Sequence, residues 1–138
     1  MPYREKFAWL TLISMALCYT PYFVISHLNP PAQAGTLDGL SQLWLYGAAA
    51  TGHGLMVGVG QFLIGKRQRP DERDRDIERR SIQAAFWVLL ILMMLVGVVL
   101  PLTQVGGWDV ANPALFAIIL SLAVQSVAQI WLYRRGVG

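Results

Sequence analysis

The sequence predicts an all-α integral membrane fold: one up-down-up-down bundle of four transmembrane helices over residues 1–138, with both termini cytoplasmic. Three observations lead there. Of 138 residues, 55% are hydrophobic and only 14% charged, outside the usual range for a soluble domain. Charges are absent from long stretches: Asp38 is the only Asp, Glu, Lys or Arg from Phe7 to Gly65, and Asp109 the only one from Ser81 to Tyr133. Finally, all eleven basic residues fall where four crossings put them on one side of a bilayer.

Lipid cannot satisfy an open backbone, so a span needs roughly 20 apolar residues in helical form. Four stretches qualify, at about 7–28, 40–64, 84–102 and 113–133. Pro21 predicts a kink in the first. The Ala32-Gln33-Ala34-Gly35 segment after it imitates a signal-peptide cleavage site, but the preceding apolar run exceeds the roughly 7–15 residues of a signal core, so it reads as a retained span. Asn29-Pro30-Pro31 stops the first helix, and Gly106-Gly107 with Asn112-Pro113 turns the chain into the fourth, Pro113 suiting a first helical position. Arg4 and Lys6, the basic residues from Lys66 to Arg80, and Arg134 with Arg135 then share the cytoplasmic face of a bacterial inner membrane. Tyr3, Trp9, Tyr22, Trp44, Tyr46, Trp87, Trp108, Trp131 and Tyr133 mostly lie near helix ends, as interfacial rings do.

The most distinctive segment is the charged loop and helix extension at 66–80. Pro70 pre-sets a helical φ, Asp71 and Glu72 complement the helix dipole, and Asp71 with Arg75 and Asp76 with Arg80 stand four apart in the favourable order. The reading is a cytoplasmic extension of the third helix whose Asp71, Glu72, Arg73, Asp74, Arg75, Asp76, Glu78, Arg79 and Arg80 are either a solvated helix start or a docking surface for a partner or for anionic lipid. Exposed ion pairs contribute only about 0–1 kcal/mol each. Reversing Asp71, Asp74 and Glu78 to lysine should therefore release a docked partner without unfolding the spans.

The run from Asp71 to Arg80, followed by Ser81 and Ala85-Phe86-Trp87-Val88-Leu89, resembles a motif in a family of small uncharacterised bacterial four-helix membrane proteins. That family carries a DERxRxIE segment at the start of its third helix. The resemblance covers about 25 residues specifically, implies the four-helix layout, and brings no catalytic role with it.

In the second helix Ala50, Gly54 and Gly58 make a smooth stripe at four-residue spacing, read as a close helix-packing face within the bundle or between protomers, or else as a groove for a lipid or quinone-like tail. His53 lies deep in the same helix, where an ionisable group marks a site or a satisfied neutral imidazole. Gln125 and Gln129 share one face of the fourth helix and need hydrogen-bond partners in lipid. His53, Gln125 and Gln129 define a candidate polar path, with Thr11, Ser14, Cys18, Thr51 and Gln61 opposite. One cysteine excludes an internal disulfide, two histidines at different depths make a metal or haem site poor, and no acid lies within a span. The expectation is a non-enzymatic accessory or regulatory subunit without catalytic residues, metal or cofactor. It would contact membrane lipids, form a homo-oligomer or join a larger membrane complex, and bind no nucleic acid. A small homodimeric transporter or channel is the alternative.

Overall fold

The computed structural model describes residues 3–29, 37–64, 71–102 and 107–136, and all regular structure among them is helical. Helix α1 is Tyr3–Leu28, α2 is Leu37–Ile64, α3 is Glu72–Met94 and α4 is Gly107–Arg135. α3 continues without a break through a π-helical turn, Leu95–Val99, into a last turn at Leu100–Leu102. Pro30, Pro31, Gly65, the basic residues 66–69, Pro70 and Gly106 lie outside the described residues.

Three helical stretches, Tyr3–Leu28, Glu72–Val99 and Val110–Arg135, are long and apolar enough to cross a membrane. α2 has 28 residues, but Gly52, Gly54, Gly58, Gly60, His53 and Gln61 dilute its apolar character, and it does not join them. Side-chain distribution points the same way as composition. Ser14 and Ser81 are fully inaccessible while Phe62 is 89% and Leu63 82% exposed, the reverse of the soluble pattern and the arrangement expected where small polar residues join helices and lipid covers the large apolar ones. Four buried serines donate within their own helices, Ser14 to Thr11 O, Ser81 to Glu78 O, Ser121 to Ile118 O and Ser126 to Leu122 O.

Neighbouring helices run antiparallel. α1 meets α2 from Leu10 at Gly60 to Tyr22 at Tyr46, whose rings are 5.4 Å apart. α1 meets α4 from Glu5 at Arg134 to Tyr22 at Asn112, and α3 meets α4 where Tyr133 reaches Asp74. The spatial order is therefore α2, α1, α4, α3, with three sides packed; α2 and α3 have no substantial contact among the described residues. The expected ring of four is open on its fourth side.

Local chemistry explains where the elements depart from expectation. α4 begins at Gly107, six residues before the anticipated start, and Pro113 lies inside it. Its second turn is pinned from outside the helix: Asn112 accepts from Tyr22 OH at 3.3 Å and donates to Ser26 Oγ at 3.2 Å. Tyr22 is only 1% exposed and Tyr46 packs beside it, so these two rings join helices instead of lying in an interfacial belt. α3 starts at Glu72 with Asp71 as N-cap: Asp71 accepts from Asp74 N at 2.7 Å and Asp74 accepts from Asp71 N at 3.4 Å, a reciprocal capping box. Asp71 thus caps the helix and makes no ion pair with Arg75 in this structure. Further along, Pro101 has no N–H to give the carbonyl of Gly97, and the Leu100 N–H reaches Leu95 O, five residues back. α4 ends at Gly136, whose φ of 65° is the left-handed closing conformation that favours glycine.

Candidate functional site

One end of the molecule gathers the start of α1, the start of α3 and the end of α4, and there the long-range ion pairs form. Arg4 Nη1 donates to Glu78 Oε2 at 2.6 Å and Arg4 Nε lies 3.8 Å from Asp74. Asp74 also accepts from Tyr133 OH at 2.6 Å, and Arg134 Nε donates to the buried Glu5 at 3.3 Å. Arg134 covers the Trp9 ring and Arg135 the Trp131 ring. Five residues singled out as candidates at the start of α3 are therefore spoken for inside the chain. Asp74 and Glu78 tie α3 to α1 and α4, Asp71 caps, and Asp76 pairs with Arg80 at 2.9 Å. Glu72, Arg73, Arg75 and Arg79 remain exposed and without an ion pair among the described residues, a surface with three arginines to one acid.

Beneath this cluster lies a cavity of about 370 Å³ to which all four helices contribute. Thr11 comes from α1, Gln61 from α2, Glu78 from α3, and Gln125 with Gln129 from α4, under Arg4. The four-residue spacing of Gln125 and Gln129 places both on the inner face of α4. Neither glutamine, nor Gln61, has a hydrogen bond to another described residue. Thr11 Oγ1 donates to Phe7 O and Ser126 Oγ to Leu122 O, so the hydroxyls are committed and the carboxamides are not. Tyr3 and Phe7, stacked at 6.4 Å, and Met15 add apolar walls.

His53 is not among the residues lining this cavity. Its Nδ1 lies 2.9 Å from Ser14 Oγ, and Tyr19 packs on the ring at 5.6 Å. With the Ser14 proton directed to Thr11 O, the hydroxyl oxygen is left to accept from His53 Nδ1–H. Cys18 Sγ sits 3.7 Å from Met56 Sδ and 3.6 Å from where a Cβ of Gly52 would stand. His53 is thus held in the α1–α2 contact, one turn beyond Thr11.

That contact decides which glycines pack. Gly52, His53, Met56 and Gly60 face α1, whereas a Cβ on Gly54 or Gly58 would meet nothing within 4 Å. Within one chain the Ala50, Gly54, Gly58 stripe lies on the outward side of α2, and the tight approach is at Gly60. Residues absent from the sequence-based site, Arg4, Glu5, Tyr133 and Arg134, turn out to be central. Placing all basic residues at one end beside the acidic helix start was the signal that could have found them.

These features define an all-helical chain with membrane-compatible helices, a polar cavity at its charged end and a free helix face. No protein-family profile, curated protein or solved structure matches it.

Proposed function

We propose that the chain is a four-span protein of the bacterial cytoplasmic membrane, termini and residues 66–80 inside, that serves as a non-enzymatic accessory subunit. It lends the outer face of α2 to a helix of another membrane protein or of a second copy. The observation that carries this reading is the placement of α2: among the described residues it packs substantially on α1 alone, and its Gly54 and Gly58 stand open on the far side. Open glycines let a helix approach backbone to backbone, where van der Waals contact drives association in lipid. The free arginines of α3 add about 1 kcal/mol each toward anionic headgroups, which suits a subunit whose charged end rests on the inner leaflet. The resemblance of residues 71–78 to the small four-helix membrane family is consistent with this layout. The cavity favours a second reading, a homodimeric channel or transporter whose path passes Gln125 and Gln129 and not His53, which lies outside the cavity; Gln129→Leu should then reduce flux.

Gly54→Leu and Gly58→Leu should leave the thermal midpoint of the protomer in detergent unchanged, while reducing oligomeric mass or the yield of co-purifying chains. Assembly equal to wild type in both variants would remove this role for α2. Topology has its own test in a Cys18→Ser background. An impermeant thiol reagent applied to intact cells should label Gly35→Cys and Gly107→Cys and spare Gln68→Cys. Labelling of Gln68→Cys alone would reverse the orientation, and equal protection of Gly35→Cys and Gln68→Cys would show that α2 does not cross.

A further inference from the structure

We infer that the cavity beneath the Arg4 cluster binds the uncharged, oxygen-bearing head of a membrane-dissolved amphiphile, admitted between α2 and α3. The open side of the fold gives the route. Three of the four helix pairs close their side of the bundle, but among the described residues α2 and α3 make no substantial contact, and the cavity has Gln61 of α2 and Ile77 with Glu78 of α3 on that side. A molecule dissolved in lipid can enter there without first crossing an ion-paired surface.

The lining selects the chemistry of the head. The two charged side chains in the lining, Arg4 and Glu78, are bonded to each other at 2.6 Å and cancel. An anionic head would face Glu78 and a cationic one Arg4, each already partnered, so the cost of taking a net charge out of water would go uncompensated. The uncommitted groups are the carboxamides of Gln61, Gln125 and Gln129, and each can donate to a carbonyl or hydroxyl oxygen and accept from a hydroxyl. Unpaired amides in an apolar setting favour a ligand that pairs them. The Tyr3 and Phe7 rings and Met15 receive its apolar part. A volume of about 370 Å³ holds a head group and leaves a chain to trail into lipid. An acylglycerol and a quinone ring both present this chemistry.

The test uses the purified full chain in detergent and three probes: dioctanoylglycerol, decylbenzoquinone, and dioctanoyl phosphatidate, which has the chains of the first and a charged head. At least one neutral probe should raise the thermal midpoint saturably, as a ligand of the folded state must, and which of the two does so identifies glycerol-type or ring-type heads. Gln129→Leu and Gln61→Leu should each require at least tenfold more of that probe for half the effect. Gln61 is exposed and makes no hydrogen bond to other described residues, so its replacement spares the fold. Gly54→Leu should bind as wild type, which keeps a failure of assembly distinct from a failure of binding. Phosphatidate acting as well as the neutral probes, no saturable shift from either neutral probe, or unaltered affinity in both glutamine variants would overturn the inference.

Discussion

Arg4→Ala should destabilise the folded chain by about 2–3 kcal/mol, because one substitution removes a charge-assisted hydrogen bond to Glu78 and the balance of Asp74. Hydrogen bonds between charged groups contribute about 1.5–3 kcal/mol each where water is partly excluded. The Arg4 side chain is 22% exposed and that of Glu78 47%, so the bond to Glu78 stands at the low end of that range and the loss of Arg4 beside Asp74 makes up the rest. Arg80→Ala makes the comparison, since its pair with Asp76 is local and half exposed and should contribute no more than about 0.5 kcal/mol. Unfolding in detergent followed by circular dichroism measures both, and an Arg4→Glu, Glu78→Arg exchange should recover the part that belongs to the pair. The structure also changes what is expected of reversing Asp71, Asp74 and Glu78 to lysine. Two cations would then face Arg4 and the helix cap at Asp71 would be lost, so the triple variant should unfold before any partner can be scored. Indistinguishable midpoints for Arg4→Ala and wild type would show that the cluster does not hold the helices.

Gly60→Leu should cost about 1–3 kcal/mol, whereas Gly54→Leu, less than two turns away, should cost nothing in the isolated protomer. A Cβ at Gly60 overlaps both Cδ atoms of Leu10, and at Gly54 it meets nothing. Leu10 has some freedom to yield, so Gly60→Ala should fall at the low end, and Leu10→Ala in the Gly60→Leu background should restore part of the loss. The thermal midpoints of these variants place the α1–α2 contact directly. Equal effects at Gly54 and Gly60 would contradict the assigned face.

The four helices were legible because apolar runs, proline and glycine punctuation and charge clusters all act locally. Which face of α2 packs was not legible. Glycines recur so densely that four-residue spacing picks out Ala50, Gly54 and Gly58 as readily as the face holding Gly52 and Gly60, and only the shape of α1, with Leu10 and Cys18 at the right heights, decides. Gln125 and Gln129 could be placed on one face because helical periodicity is enough for that; their opening onto a cavity with Gln61 depends on three other helices. The pairing of Asp74 and Glu78 with Arg4 spans 70 and 74 residues of sequence, and a pattern read along the chain sees first the pairs four apart. Of those, Asp76 with Arg80 forms, while Asp71 turns to cap the helix because an unsatisfied first turn is the nearer demand.

The π-helical turn at Leu95–Val99 stores one surplus residue. An α-helix advances about 100° per residue, so an extra residue threaded into a uniform helix would swing everything beyond it to another face. Widening a single turn absorbs that rotation, and α3 keeps its contact with α4 on both sides of the bulge. Deleting Gly97, which faces open space, should therefore yield a regular helix one residue shorter with Ile77, Ser81 and Ala85 still turned inward. A one-residue change in the length of α3 can therefore be absorbed at this turn with no helix changing its neighbours.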